Sequence, residues 1–402
     1  MFDLNKFISQ FVTMREQSMF MTDIENNREK LIYKIQGKSV LIIGGAGSIG
    51  SSFIKAILPY KPRTVVVVDV NENALAELTR DLRSTAGMFV PEDYITYPMD
   101  FVSPVFEKMF LSRKGFDIVA NFSAHKHVRS EKDIYSIEAL LNNNVLHAKN
   151  LLDLLEKFPP KEYFCVSTDK AANPVNIMGA SKRIMEDVIF SYSDKFPVKT
   201  ARFANVAFSN GSLPAGFLMR MQKNQPLSAP LDVKRYFVSP EESGHICMLA
   251  CMLGNNREIF FPKLDEAQMM TFDSIATKLL NAHGYNVLKC VSDEEAVKMS
   301  ESLDKGERDY PVLFSESDTS GEKSFEEFYT KNEKIDFGRF NSLGVIVEKE
   351  TGDKEKIKIL FDRIEDAFEK NDVTKEEIVE ILKQYLPDFE HIEKGKSLDS
   401  KM

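Results

Sequence analysis

Thr168, Asp169 and Lys170 stand side by side in the segment STDKAANPVNIMGASK, Ser167 to Lys182. They offer a hydroxyl, a carboxylate and an amine, three group types able to move protons. Met178 and Lys182 follow four positions apart, one helical turn, so a helix there turns both side chains to one side. A thioether neither gives nor takes a proton, so any acid–base work beside Met178 falls to its neighbours, with Thr168, Asp169 and Lys170 as the candidates. An Asp-Lys pair is ordinarily a solvated surface pair and a methionine ordinarily core filler. Both ordinary readings weaken at the end of a central parallel strand, the edge where ligands of open α/β sheets collect, and the preceding run EYFCVST reads as such a strand.

Five further β-branched runs, SVLIIGG, TVVVVDV, ITYPMD, DIVANFS and KTARFANV, alternate with helical patterns such as Asn71 to Arg83 and Tyr135 to Phe158. Six strands with helices between them predict an α/β fold, a doubly wound parallel sheet covered on both faces. After Val206 the chain turns to Gly, Pro and polar residues, SNGSLPAGF, which predicts a smaller substrate-covering lobe. The expected division is a helical extension over 1–36, the doubly wound (Rossmann) domain over 37–206, a lobe interleaved with it over 207–345, and a helical extension over 346–402. In the first, Leu4, Phe7, Ile8 and Phe11 keep helical spacing, for packing on this chain or on a second subunit. In the last, Ile357, Leu360, Phe361, Ile364 and Phe368 form one apolar stripe, and Ile378, Ile381, Leu382, Tyr385 and Leu386 another. Thr374 and Glu377 read as a capping box for the second of these helices, with Val373 and Ile378 as a hydrophobic staple.

The first strand runs into Gly44-Gly45-Ala46-Gly47-Ser48-Ile49-Gly50. Glycines at Gly44, Gly47 and Gly50 let backbone approach a pyrophosphate, and the helix beginning near Ser48 and Ile49 offers unpaired N–H groups to that anion. Asp69 ends the second strand nineteen positions beyond Gly50, where a carboxylate accepts hydrogen bonds from an adenosine ribose and repels a 2′-phosphate, so the expected cofactor is NAD rather than NADP. Asp100, with Phe101 beside it, is placed either to meet an adenine edge or simply to cap a strand-end turn. Ser123 and Ala124 follow the fourth strand at the same sheet edge.

A formal charge of -9 and 28% charged residues argue against a nucleic-acid partner, which would ask for a basic face. No apolar run reaches the ~20 residues of a membrane helix, so no membrane insertion is expected. Cys165, Cys247, Cys251 and Cys290 lack paired metal spacing and disulfide density, which points to a reducing cytoplasm; Cys247 and Cys251, one helical turn apart, read as core. No metal site is expected.

With the glycine loop, Asp69, AHKHV (Ala124 to Val128) and the Ser167–Lys182 block together, the chain resembles the UDP-N-acetylglucosamine 4,6-dehydratases, the polysaccharide-biosynthesis branch of the extended short-chain dehydrogenases. The likeness runs from Ser39 to about Ala250, through RFANV (Arg202 to Val206) and KRYF (Lys234 to Phe237), with FSESDTSGEKSFEEFY as a later matching segment. Family members with tyrosine at the Met178 position resemble inverting enzymes, whereas the methionine form, as here, resembles enzymes that retain configuration at C5. The resemblance implies that Lys182 holds the nicotinamide ribose and that Asn144 joins the cofactor site, although a helical asparagine ordinarily points to solvent. It further implies that Thr168 bonds the C4 hydroxyl, that Asp169 protonates the departing C6 hydroxyl, and that neutral Lys170 removes the C5 hydrogen. Lys126, His127, Asn205 and Arg235 become expected contacts of a UDP-linked N-acetylhexosamine. Lacking the transmembrane segment of membrane-bound retaining relatives, the chain is expected to be a soluble form. Helices Tyr135 to Phe158 and Ile184 to Phe196 resemble a pair that forms dimer bundles, so a homo-oligomer is expected. A nucleotide-sugar 4-epimerase and a catalytically silent NAD-binding sensor are the competing readings.

Overall fold

The computed structural model describes residues 2–127, 131–303, 306–316 and 326–392. Its centre is a nine-stranded sheet. The strands are β1 (Ser39–Ile43), β2 (Thr64–Asp69), β3 (Asp93–Pro98), β4 (Ile118–Asn121), β5 (Glu162–Val166) and β6 (Val198–Ala201), all parallel, in the order 3-2-1-4-5-6. That order reverses between β1 and β4, the crevice where open α/β sheets bind ligands. Four consecutive valines, Val65 to Val68, are at most 1% exposed in β2, as a strand covered on both faces requires. Each such side chain contributes about 1.5–3 kcal/mol through burial.

Three further strands extend the sheet beyond β6: Glu258–Pro262 runs parallel to it, Leu343–Ile346 pairs antiparallel with Glu258–Pro262, and Ile335–Asp336 pairs antiparallel with Leu343–Ile346 at the edge. Residues 207–345 therefore divide between this sheet edge and a second apolar cluster built from Phe217, Leu227, Ile275, Leu279 and Val312. Phe7, Ile8 and Val12 of the N-terminal helical turns pack into that second cluster. Phe20, Ile24, Leu31 and Ile35 pack instead against the main core.

KTARFANV is not one strand: β6 ends at Ala201, and Asn205–Val206 pairs with Phe237–Val238 in a separate two-stranded ladder. The pattern Tyr135 to Phe158 is also interrupted, with helices Ile134–Leu141 and His147–Leu155 joined by a wide π turn over Asn142–Leu146. The helix expected over Ile184 to Phe196 runs instead over Ile177–Phe190, because the Asn176 side chain caps it by accepting from Gly179 N.

The C-terminal helices are Lys354–Phe368 and Lys375–Tyr385, the second with the Thr374–Glu377 capping box. They stand against the helix Ile177–Phe190: Tyr385 Oη donates to Asp187 at 3.5 Å, and Gly352 sits against the Asp187 carbonyl. The side of that helix at Asp187 is thus covered by this chain's own C-terminal residues. Among the described residues no helix is long and apolar enough to cross a membrane.

Candidate active site

The turn between β1 and the helix Ser48–Ile57 is built around Gly44, at φ +69°, where an added Cβ would lie 2.6 Å from Ser123 N. A Cβ on Gly50 would meet the Gly44 carbonyl at 2.5 Å, so the helix start can sit this close to the strand end only without side chains. Asp69 spans the loop mouth: Oδ2 accepts from Ala46 N at 3.1 Å and Oδ1 from Asn71 N at 2.9 Å. This open backbone cradle with a carboxylate across it has the shape and donors that a dinucleotide needs. Ser48 and Ile49 begin the helix, and Ser48 Oγ accepts from Asn210 N at 2.9 Å.

Asp100 does not end β3; it lies two residues beyond Pro98 and turns the chain by accepting from Val102 N at 3.1 Å. Phe101 is buried and meets the His147 ring edge-on, with centroids 6.0 Å apart. Ser123 donates to Asn143 Oδ1 at 3.3 Å, and Ala124 is half-buried beside it.

Asn144 departs from the usual helical asparagine. The π turn leaves it 2% exposed, and it accepts from His125 N at 2.9 Å while donating to the His125 carbonyl at 2.9 Å and to Ser181 Oγ at 3.0 Å. It therefore locks the loop after β4 to the helix carrying Met178 and Lys182. Wide turns of this kind recur at functional sites.

At the end of β5, Thr168 Oγ1 donates to Asp169 Oδ1 at 2.7 Å, and Lys170 Nζ lies 3.2 and 3.3 Å from the two Asp169 oxygens. Asp169 is 5% exposed and Lys170 half-buried. The helix Ile177–Phe190 begins directly against this turn, since a Cβ on Gly179 would stand only 2.7 Å from the Lys170 carbonyl. Met178 is buried, its N–H donating to Glu131 at 3.1 Å. One turn on, Lys182 is buried and its Nζ donates to the Val166 carbonyl at 3.2 Å. Burial pushes the Lys182 amine below the usual lysine range, against the opposing charges of Cys165 and Glu186.

The sequence-derived substrate contacts separate. Lys126 and His127 are exposed on the loop after β4; Lys126 Nζ donates to the Asn210 carbonyl at 2.9 Å. Val128 lies outside the described residues. Asn205 and Arg235 instead converge on Glu326, a carboxylate the sequence reading did not single out. Asn205 Nδ2 donates to it, Arg235 Nε is 3.5 Å from it, and Tyr236 N donates to it at 3.0 Å. Lys170 Nζ is 3.9 Å from the same group. Burial, with the charge of Asp169 added, pushes the Glu326 carboxyl up to about 7 despite Lys170 and Arg235. Its place in FSESDTSGEKSFEEFY, whose residues 317–325 lie outside the described ones, was the only signal available.

Beneath the site, Arg202 is fully buried and binds Glu186 at 2.7 and 2.9 Å and Glu333 at 2.8 and 2.9 Å. Cys247 and Cys251 are fully buried in the helix Pro240–Leu253. Among the described residues no group of three His, Cys, Asp or Glu side chains is arranged to hold a metal ion.

Residues 40–333 match the family described as "Polysaccharide biosynthesis protein". The chain belongs to that family. It is 27% identical over 297 residues to the probable polysaccharide biosynthesis protein EpsC of Bacillus subtilis, covering 73% of this chain but only 47% of EpsC. The chain thus spans about half the length of that relative. A UDP-N-acetylglucosamine 4,6-dehydratase (inverting) of Campylobacter jejuni is 26% identical over 310 residues, 74% of this chain and 84% of that protein. A UDP-glucose 4-epimerase of Rickettsia bellii is 25% identical over 272 residues, 66% and 77%. Among solved structures, Pen from Bacillus thuringiensis superposes with a TM-score of 0.62 at 20% identity, covering 79% of this chain and 91% of that one. WbmF of Bordetella bronchiseptica, solved with NAD+, gives 0.50 at 19% identity, covering 62% and 80%. These likenesses establish the extended short-chain dehydrogenase fold for the family member described here.

Proposed function

We propose that the chain is an NAD-dependent nucleotide-sugar dehydratase that converts UDP-N-acetylglucosamine to its 4-keto-6-deoxy product with retention at C5, for glycan biosynthesis. The observation carrying this reading is the hydrogen-bonded series Thr168–Asp169–Lys170 at the carboxyl end of β5, next to a buried methionine rather than a phenol. The Gly44–Gly50 cradle and Asp69 would hold NAD, with Asp100, Phe101, Ser123, Ala124 and Asn144 along the same edge and Lys182 at the ribose. NAD, when bound, supplies hydride acceptance from C4 and its return to C6.

Thr168 bonds the C4 hydroxyl and passes its proton to Asp169 through the 2.7 Å contact. A ketone at C4 acidifies the C5 hydrogen, and Lys170 in its neutral form takes that proton. Asp169 then returns its proton to the C6 hydroxyl, which leaves as water. Lys170 restores a proton to C5, so both residues end as they began. Lys126, His127, Asn205 and Arg235 are assigned to the nucleotide sugar, Arg235 through charge-assisted bonds. A cytoplasmic homo-oligomer accompanies this reading.

The 4-epimerase reading is favoured by one observation, the epimerase relatives. Purified protein incubated with UDP-N-acetylglucosamine and no added NAD separates the two. A product lighter by one water, with C5 configuration read by NMR, supports the dehydratase; an isomer of unchanged mass supports the epimerase. Lys170→Ala and Asp169→Asn should each abolish turnover with NAD still bound, and activity within a few-fold of the parent rejects their roles.

A further inference from the structure

Glu326 has no part in the reaction as derived, yet it is a buried carboxylate only 3.9 Å from the Lys170 amine and stands outside the Thr168–Lys170 turn. Groups from three elements face it: Asp169 and Lys170 from the turn after β5, Asn205 from the short strand after β6, and Arg235 with the Tyr236 N–H from the segment Lys234–Phe237. Its neighbour Glu327 is turned elsewhere, accepting from Asn173 Nδ2 at 3.0 Å.

We propose that Glu326 is a positioning residue for the acid–base pair. It ties Asn205, Arg235 and Tyr236 to Lys170 and, through its own charge, sets how readily the Lys170 amine sheds its proton. The proposal rests on the dehydratase reading for its catalytic consequence only. Asp169 at 3.2 Å and Glu326 at 3.9 Å set two carboxylates against the single Lys170 amine, and each of them, when ionised, opposes the neutral form that accepts the C5 proton. Protonating Glu326 removes one of them without moving the other. Burial and the Asp169 charge hold the Glu326 carboxyl up at about 7, so its charge changes near neutral pH. A lone surface carboxylate would be ionised throughout that range.

The test uses the full chain with two readouts. In protein labelled with 13C-lysine, the Lys170 Cε signal, assigned by its loss in Lys170→Arg, is titrated alongside the pH dependence of kcat/KM for water loss. Glu326→Gln keeps the shape and the acceptor for Tyr236 N but removes the charge. Both the Lys170 titration midpoint and the rising limb of kcat/KM should move to lower pH by about one unit, while Glu326→Asp should stay near the parent. A purely structural Glu326 would lower kcat equally at every pH and leave the midpoint in place, and that result overturns the proposal.

If the glutamine variant does not fold, the parent alone decides, through the 13Cδ signal of Glu326. A midpoint near neutrality matched by a response at Lys170 supports the proposal; no titration between pH 6 and 8 overturns it. If the parent dehydrates no sugar, the dehydratase reading fails while the two NMR titrations still judge the charge coupling.

Discussion

Glu333→Gln tests the buried ion network that anchors the segment leading back to Glu326. Arg202 is fully buried and shared by Glu186 and Glu333, and its Nη1 also donates to the Phe328 carbonyl at 2.9 Å, two residues after Glu326. Burial pushes the Glu333 carboxyl up, but the hydrogen bonds and charge of Arg202, with help from Thr330 N and Lys349, outweigh it and hold it at about 2 against a usual 4.5. Two and a half pH units correspond to about 3 kcal/mol of stabilisation by the ionised form. The group's acidity is depressed on folding, so that stabilisation is complete above pH 4.5 and is lost as the pH falls towards 2. At pH 3.5 about 2 kcal/mol of it should remain. The amide retains one acceptor for Arg202, so the expected loss at pH 7 is about 2–3 kcal/mol. Urea unfolding of parent and variant, followed by circular dichroism at pH 7 and pH 3.5, should show the gap narrowing by about 1 kcal/mol. A gap that is the same at both pH values, or absent at pH 7, refutes the assignment of Glu333 as a carboxylate held ionised by Arg202.

Gly179→Ala should reduce turnover by roughly tenfold to a hundredfold, because the new methyl must displace the Lys170 backbone carbonyl 2.7 Å away; steady-state kinetics at unchanged secondary structure checks it, and a normal kcat contradicts the close approach. Asn144→Ala strips the His125 N–H and carbonyl of the Asn144 amide and Ser181 Oγ of the donor it accepts from, for a loss of about 1–3 kcal/mol. A melting point lowered by about 2 °C or more is expected, and one unchanged within error counts against that lock.

The parallel core was readable because each of its strands carries its own signal. SVLIIGG and TVVVVDV are nearly continuous apolar, β-branched-rich runs, the composition that a strand buried on both faces favours. The Gly44–Gly50 loop, the Asp69 carboxylate and the Thr374–Glu377 cap were equally local, since each depends on spacings of a few residues. The strand Glu258–Pro262 and its antiparallel neighbour Leu343–Ile346 were not, because their pairing joins residues some eighty positions apart and leaves no periodic trace in either.

The chain by itself determined which groups could move protons and that they would stand at a sheet edge: Thr168, Asp169 and Lys170 are adjacent, and a strand delivers them together. Tertiary structure alone decided what surrounds them. Asn144 reads as a solvent-facing helical asparagine until the π turn buries it against His125 and Ser181, and Glu326 reads as one acid among many until Asn205, Arg235 and Lys170 close around it. The physical reason is range. Propensity and hydrogen-bonding spacing act over a few residues of sequence, whereas the desolvation and charge that set a carboxylate's acidity come from whatever the fold packs against it.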